Sequence, residues 1–257
     1  MERALLEQAI YNNAVWCDTV CRAHGRPGTF YEEIWINRNP TPRSYPNAVT
    51  LTQQTDQKAR IQELIGAGLA GDWGIKDSFC SLALASLGFR VLFEAEWICR
   101  TASLPRPEGD VAGMLWVRVD APADLAAWES AWSGQSPGDS HADSDQVFLA
   151  SLLAEHDVAI LAGCRGEHII AGGIANRTAD VVGLSNVFVP HSDGERLLAG
   201  CLAAAIDVFP SLPIVGYEGG RPLAAMRALG FDILGPLRVW VKQGPTTAAR
   251  PPRRSMS

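Results

Sequence analysis

The chain has 257 residues and a formal net charge of −6, and 47% of its residues are hydrophobic. This length suggests one large domain or two small ones, with enough apolar residues for a sizeable core. The acidic balance gives no electrostatic basis for binding nucleic acid or an anionic membrane, so neither partner is expected. No apolar run approaches the length of a membrane span and no signal-peptide pattern is present, so we expect a cytoplasmic protein.

Six cysteines are spread through segments that are predicted to form helices and strands. A disulfide framework is not predicted, because the chain is large and is not dense in cysteine. Cys17, Cys21 and His24 fall at i, i+4 and i+7 on one helix face, a spacing that can offer metal ligands. No second ligand cluster accompanies them and buried thiols are ordinary core residues, so no metal site is predicted.

The N-terminal half is predicted to contain one long helix and then a strand–helix–strand–helix–strand unit. The helix covers residues 2–24, and Asn12 and Asn13 interrupt it as weak helix formers. Strands are predicted over residues 31–36, 47–51, 73–77 and 88–98, and helices over 57–69 and 79–87. Thr55 or Asp56 can cap the first of these two helices.

The C-terminal half begins after a linker over residues 101–110. Its predicted elements are a strand over 114–119, a helix over 122–132, a second helix over 147–155, meander strands over 158–164, 168–174 and 181–189, a helix over 197–209, a strand over 212–217, a helix over 223–229 and a closing strand or hairpin arm over 231–241. Residues 133–145 are rich in Gly, Ser, Pro and Asp and are predicted to form a mobile surface loop. Residues 244–257 are predicted to form a disordered basic tail.

The strand–helix units of the two halves match each other element for element, which predicts an internal repeat. The matched positions are Ser86-Leu87-Gly88-Phe89 with Ala228-Leu229-Gly230-Phe231, Trp97 with Trp240, and Asn47 with Asn186. Each unit therefore has a Gly-Phe pair after its second short helix, as the closing strand begins.

An antiparallel meander that leads into a strand–helix–strand–helix–strand unit, with Leu229-Gly230-Phe231 after a short helix, resembles the GCN5-related N-acetyltransferase (GNAT) superfamily. The resemblance implies the α/β (α+β) fold class, with a GNAT-like mixed sheet flanked by helices. Combined with the repeat, it implies a tandem arrangement. The predicted parts are a shortened GNAT-like N-terminal domain over 1–105, a GNAT-like C-terminal domain over 106–243 and the basic tail over 244–257.

The resemblance also implies acetyl-CoA as the cofactor, with its pantetheine along a splayed strand and its pyrophosphate on backbone amides at the start of the next helix. The cofactor-binding residues that it implies are Val187, Phe188, Val189, His191, Ser192, Asp193, Gly194, Glu195 and Arg196. A helix N-terminus suits phosphate because it supplies unpaired N–H groups and partial positive charge.

This loop departs from the family's Arg/Gln-x-x-Gly-x-Gly/Ala motif. It has one glycine, Gly194, with the carboxylates of Asp193 and Glu195 on either side, and such charges are unfavourable beside a pyrophosphate. Arg196 and His191 can compensate in part. The corresponding segment of the N-terminal half, residues 52–58, has no glycine at all.

The candidate catalytic residues are Glu218 and Tyr217, at the end of the strand before the last helix. Many GNAT members place a general-acid Tyr five residues before the Phe of the closing motif, but this position is Met226 here. Glu218 could instead act as a general base toward an incoming amine, directly or through water. The alternative is that Tyr217 is an ordinary strand residue and Glu218 a hydrated loop residue. The matching strand end of the N-terminal half has Lys76 and Asp77, which are also expected to be hydrated.

Two functions remain open at this stage. The first is an acyl-CoA-dependent N-acyltransferase that transfers an acetyl group to a small-molecule or peptide amine, where proximity in the ternary complex supplies much of the rate. The second is a non-catalytic binding or regulatory protein that kept the fold and lost the cofactor site. The sequence favours the acyltransferase, because a helix N-terminus beside a splayed strand can still accept phosphate. The oligomeric state and the acyl acceptor are not predicted.

Overall fold

The structure is a computed structural model that describes residues 2–53, 57–66, 68, 73–109, 111–134, 146–190 and 192–243. Three predicted features lie wholly or largely outside these residues: the helix cap at Thr55 or Asp56, the loop over 133–145 and the tail over 244–257. Within the described residues, no helix is both long and apolar enough to cross a membrane.

The element order follows the sequence-based prediction closely. The N-terminal half contains α1 (Glu2–Ala23), β1 (Thr29–Phe30), β2 (Ile34–Ile36), β3 (Ala48–Thr50), α2 (Gln57–Gly66), β4 (Trp73–Asp77) and β5 (Arg90–Arg100). The C-terminal half contains β6 (Met114–Arg118), α3 (Pro122–Ser133), β7 (Val158–Arg165), β8 (His168–Thr178), β9 (Val181–Phe188), α4 (Gly194–Val208), β10 (Ile214–Glu218), α5 (Gly220–Ala228) and β11 (Asp232–Lys242).

All of these strands form one mixed sheet in the order β1-β2-β3-β4-β11-β5-β10-β9-β8-β7-β6. The pairs β3–β4 and β9–β10 are parallel, and the other neighbouring pairs are antiparallel. The order is symmetrical about the β11–β5 pair, because an antiparallel and then a parallel neighbour follow on each side. The closing strands are exchanged between the halves, since β5 pairs with β10 and β11 pairs with β4.

This sheet confirms the predicted fold class, a mixed sheet flanked by helices. The two halves share one sheet, so the division into domains over 1–105 and 106–243 stays a prediction.

Helices cover both faces of the sheet. Side chains alternate along a strand, so neighbouring residues point to opposite faces. On β5, Trp97 packs in the core beneath α1, whereas Ile98 packs in the core beneath α4 and α5. On β4, Ile75 packs in the core beneath α2, whereas Lys76 points toward α1. Helices α1 and α3 therefore lie on one face, and α2, α4 and α5 lie on the other.

The predicted helix over 79–87 is wrong, because only a 3-10 turn at Ala85–Leu87 forms there. The carboxylate of Asp77 accepts the backbone N–H groups of Ser81 (3.0 Å) and Leu82 (2.9 Å). These bonds hold the start of the segment in an irregular turn in place of a helix.

The predicted helix over 147–155 is also shorter than expected, a 3-10 turn at Ala150–Ala154. The first residues of the predicted helix bind α3 instead, because the Glu129 carboxylate accepts the N–H groups of Val147 (2.7 Å) and Phe148 (3.2 Å). Side-chain acceptors thus override helix propensity at both places.

Candidate active site

Strands β9 and β10 separate toward their carboxyl ends. They pair at two positions, Val182 with Ile214 and Gly183 with Val215. Beyond them, β10 runs to Glu218 along β5, while β9 runs to Phe188 along β8. The end of β9 therefore has no strand partner on its β10 side, and the predicted splay is present.

A bulge at Asn186 accompanies this separation. The pairing of β9 with β8 shifts register here, and Asn186 adopts a left-handed conformation with φ of 53°. Asparagine tolerates that conformation better than most residues, and a bulge bends its strand. The sequence match of Asn186 to Asn47 does not hold in space, because Asn47 precedes β3 and its side-chain amide donates to the carbonyls of Asn37 and Asn39.

Helix α4 begins at Gly194, directly after the end of β9. Asp193 stands at the N-cap position with φ of 58°, and its carboxylate makes no capping hydrogen bond. Because the Asp193 carboxylate gives no side-chain cap, the first-turn N–H groups remain open to another acceptor. Val189 lies beside the helix start, since a Cβ added to Gly194 would be 3.5 Å from its Cγ2 atom.

The charged residues of this loop point into solvent. Ser192, Asp193, Glu195 and Arg196 are all exposed, and His191 lies outside the described residues. The two carboxylates that oppose phosphate binding are thus in a medium that screens them.

A cavity of about 250 Å³ lies between α1 and the diverging strands, and we call it the α1 pocket. Three of the predicted site residues line it, namely Val187, Tyr217 and Glu218. Phe188 packs instead against Trp128 of α3, with ring centroids 5.4 Å apart. The structure thus brings the predicted catalytic pair together with one residue of the predicted cofactor strand.

Glu218 is the last residue of β10 and is partly buried. Burial raises the pKa of its carboxyl group to about 7, although a hydrogen bond from the backbone of Gly219 acts in the opposite direction. Glu218 thus belongs to a strand end and is partly shielded from water. A carboxyl group with a pKa near neutrality can exchange a proton with a substrate at physiological pH.

Tyr217 forms the floor of the pocket together with Lys76. The tyrosine ring meets Trp97 edge-on at 5.5 Å and stacks on Phe93 at 6.4 Å between centroids. The Lys76 Nζ lies 4.7 Å from the centroid of the Tyr217 ring and donates a 2.8 Å hydrogen bond to the Asn13 Oδ1. Lys76 is only 7% exposed, so the expectation that it is hydrated is wrong.

The pKa of Lys76 lies above its ordinary value. Burial lowers this pKa, but the neighbouring Cys17 and Tyr217 groups raise it by more.

Asparagines of α1 form a wall of the pocket that the sequence analysis did not assign. The Asn12 Nδ2 donates to the backbone carbonyl of Asn176 (2.9 Å), and the Asn176 Nδ2 donates to the Asn12 Oδ1 (3.1 Å). Gly183 lies against this pair, where a Cβ atom would collide with both amide oxygens. The signal was two adjacent asparagines in the middle of a helix, a place where such residues need a local reason.

The family's general-acid position and the Cys17, Cys21 and His24 spacing both fall on residues that are occupied by packing or hydrogen bonding. Met226, at the general-acid position of the family, is buried in the core at 3% exposure. Cys17 and Cys21 also lie in the core, and the His24 ring nitrogen contacts the carbonyl of Val147. Among the described residues, no group of three or more His, Cys, Asp or Glu residues could hold a metal ion.

The corresponding strand end of the N-terminal half is closed. The Thr50 hydroxyl joins β3 to the end of β4, since it accepts the N–H of Ser78 (2.8 Å) and contacts the carbonyl of Lys76 (3.5 Å). At the start of α2, the buried Gln57 side chain donates to the carbonyls of Thr52 and Glu33. Within the described residues, side-chain hydrogen bonds thus occupy both the strand end and the helix start of this half.

Comparison with solved structures finds the same fold in several other proteins. A GCN5-related N-acetyltransferase from Kribbella flavida superposes with a TM-score of 0.62 at 14% identity, over 92% of this chain and 95% of that one. A functionally unknown conserved protein from Staphylococcus epidermidis gives a TM-score of 0.62 at 10% identity, over 84% and 93% of the chains. A tandem GNAT protein from the clavulanic acid biosynthesis pathway, solved without acetyl-CoA, gives 0.51 at 13% identity, over 83% of both chains.

No protein-family model and no curated protein matches the sequence. The structural matches nevertheless show that the chain has the fold of the GCN5-related N-acetyltransferases. Since fold alone does not establish activity, the function rests on the site.

Proposed function

We propose that this protein is an acyl-CoA-dependent N-acyltransferase that transfers an acetyl group to the amine of a small molecule or peptide. The observation that carries the proposal is the divergence of β9 from β10. It opens an unpaired strand edge next to the start of α4, and it opens onto the α1 pocket, where Glu218 has a pKa of about 7.

The end of β9 and the start of α4 suit acetyl-CoA. The backbone from Val187 to Val189 is free on its β10 side, so its polar groups can pair with the amides of pantetheine. The N–H groups at Gly194, Glu195 and Arg196 point toward the helix start, which favours phosphate. Bound there, acetyl-CoA would supply a thioester carbonyl as the acyl donor.

The electrostatic balance of this loop reduces the affinity without preventing binding. Asp193 and Glu195 repel phosphate, but both are exposed and therefore screened by water and salt. Arg196 carries the opposite charge in the same helical turn, and His191 is a further candidate partner.

Within the α1 pocket, Glu218 is the proposed general base and takes a proton from the acceptor amine, directly or through water. Tyr217 borders the same space with its aromatic ring and would position the amine. Because Met226 cannot donate a proton, this chain contributes chiefly by positioning the amine and by accepting its proton.

The first experiment is isothermal titration with acetyl-CoA and with CoA, at low and at moderate salt. We expect micromolar binding that weakens with salt, because phosphate recognition is electrostatic. Gly194→Asp should abolish binding and leave the fold intact, since Val189 leaves room for a side chain and an acidic first turn is favourable to a helix. Gly194→Ala is the matched control, which adds a Cβ without charge and should keep wild-type affinity.

Each outcome is informative. Unchanged affinity in Gly194→Asp would remove this loop from the site. An absence of heat at millimolar ligand would instead support the non-catalytic alternative. Where binding is found, release of the CoA thiol with a panel of amines tests the transfer itself.

A further inference from the structure

We propose that the acceptor is a small amine that also carries an anionic group such as a carboxylate, and that Lys76 in the α1 pocket binds this anion. The inference rests on the proposed function of the same pocket, and it adds the substrate class.

Lys76 has a buried ammonium group with no carboxylate partner among the described residues. It is 7% exposed, and its Nζ contacts the Asn13 Oδ1 at 2.8 Å, the Cys17 Sγ at 4.0 Å and the face of the Tyr217 ring. Among the described residues it forms no ion pair with a carboxylate within 4.0 Å. Burial raises the pKa of the Cys17 thiol, so Cys17 supplies no negative charge at neutral pH.

A buried charge without a counter-ion is costly, because desolvation is not offset by Coulomb attraction. When a strand holds such a buried ammonium group beside a cavity, an anion that binds in the cavity stabilises it by Coulomb attraction. Lys76 lies at a strand end and lines the α1 pocket, so it meets both conditions.

Two further donors line the same pocket. The indole Nε1 of Trp16 and the hydroxyl of Tyr45 are both buried, and beyond their contact with each other neither has a hydrogen-bond partner within the described residues. Unpartnered buried donors usually mark a missing acceptor. The wall near α1 thus offers an ammonium, an indole N–H and a hydroxyl, which together suit the oxygens of a carboxylate.

The charges of the pocket match an amine and an anion on one molecule. Glu218 receives the amine, and Lys76 receives the anionic group, so a zwitterion pairs both of its ends. The cavity of about 250 Å³ is at the small end for ligand sites, which favours an acceptor the size of an amino acid over a folded protein surface.

The experiment compares amino acids with their decarboxylated amines and their carboxamides. Transfer is followed by release of the CoA thiol, and binding without any cofactor is followed by quenching of tryptophan fluorescence, since Trp16 and Trp97 line the pocket. For the wild type we expect kcat/KM for the best amino acid to exceed that for its decarboxylated amine at least tenfold. Equal rates for the two would overturn the inference.

Lys76→Met tests the residue with a side chain of similar length and no charge. It should lower kcat/KM for the amino acid about 100-fold, leave the decarboxylated amine nearly unchanged, and remove the preference in the binding assay. Lys76→Arg should restore part of that preference. Lys58→Met, an exposed lysine of α2, is the matched control and should behave like wild type. An equal loss for both acceptors in Lys76→Met would show a merely structural role and overturn the inference.

The two proposals fail in different ways. If acetyl-CoA binds and amines are acetylated without a preference for carboxylates, the proposed function stands and the anion site is wrong. If acetyl-CoA does not bind but amino acids quench fluorescence in a Lys76-dependent manner, the anion site stands and the acyltransferase is wrong. If the amino acids neither bind nor react, the anion site is overturned as well.

Discussion

The two halves of the molecule end their parallel strand pairs in opposite ways. In the N-terminal half, the Thr50 hydroxyl joins β3 to β4, and Asp77 at the end of β4 accepts hydrogen bonds from Ser81, Leu82 and Trp240. In the C-terminal half, β9 leaves β10, and Glu218 at the end of β10 faces a cavity. A strand–helix–strand order, shared by β3–α2–β4 and β9–α4–β10, thus gives a closed strand end in one half and an open one in the other.

The difference between the two strand ends depends on a few side chains and their hydrogen bonds. Asp77 is fully buried, and its carboxylate accepts hydrogen bonds from the residues that follow it. Glu218 is buried enough to raise its pKa, yet its carboxylate remains accessible from the pocket. The two carboxylates therefore differ in how far neighbouring donors occupy them, since three donors bind Asp77 and one backbone bond, from Gly219, is recorded for Glu218.

The largest effect is expected from replacing these two carboxylates. Glu218→Gln should lower kcat/KM by roughly 10² to 10⁴, the usual range for a lost general base. The wild-type rate should rise with pH through an apparent pKa near 7, and this step should be absent from the variant. Asp77→Asn should leave the rate of the folded protein unchanged but cost about 1–2 kcal/mol of stability. Comparable rate losses in both variants would contradict the distinction between the two halves.

Glu218 should also make stability depend on pH. Its pKa in the folded protein, about 7, is above the ordinary 4.5, so the folded state binds more protons between these values. Stability should therefore be greatest below about pH 4.5 with respect to this group, and should fall as the pH rises through 7. At pH 8, Glu218→Gln should be more stable than wild type by about 2 kcal/mol, a value reduced for partial exposure. Urea denaturation of both proteins at pH 5 and 8 measures this, and parallel curves would contradict it.

A smaller effect is expected from opening the closed end. Thr50→Val keeps the side-chain shape but leaves the buried N–H of Ser78 without its acceptor, so stability should fall by about 1–3 kcal/mol. Affinity for acetyl-CoA should not change, because Thr50 lies in the half that is not proposed to bind it. Thermal unfolding measures the stability and titration measures the acetyl-CoA affinity of the same preparation. Weaker acetyl-CoA binding in Thr50→Val would contradict a cofactor site confined to the C-terminal half.

The smallest effect is expected at the exposed start of α4. Glu195→Gln removes a carboxylate that opposes phosphate, so acetyl-CoA should bind about threefold more tightly at low salt. The gain should disappear at high salt, because both groups are in solvent. Glu167→Gln, in the turn between β7 and β8, is a control of equal charge change that should have no effect. Weaker binding in Glu195→Gln would show that the phosphates lie elsewhere.

Much of the fold could be predicted from periodicity and turn residues, because strands and helices carry local signals. Strand β4 was predicted over the residues that it occupies, 73–77, and the order from β6 to β11 was also predicted. The prediction of a helix over 79–87 was wrong, because the Asp77 carboxylate accepts backbone N–H groups there, and no helical period in the sequence reveals such contacts.

The site was predicted only in part for a similar reason. Glu218 and Tyr217 were predicted because they end a strand beside the expected splay, and both line the α1 pocket. Lys76 was predicted to be hydrated. It is buried because α1 crosses the sheet above β4, and the sequence does not show that crossing. Strands β5 and β11 are exchanged between the halves, because β5 pairs with β10 and β11 pairs with β4. A linear alignment of the two predicted repeats does not show this exchange.

The exchange of closing strands sets the order in which the chain can fold during synthesis. Strand β11 lies between β4 and β5, so the N-terminal half lacks its central neighbour until residue 242 has left the ribosome. Until then, the facing edges of β4 and β5 present unpaired backbone groups, which are a template for unwanted pairing. Neither half can be completed before the other, and a nascent chain cut short before β11 would be an early substrate for chaperones and proteases.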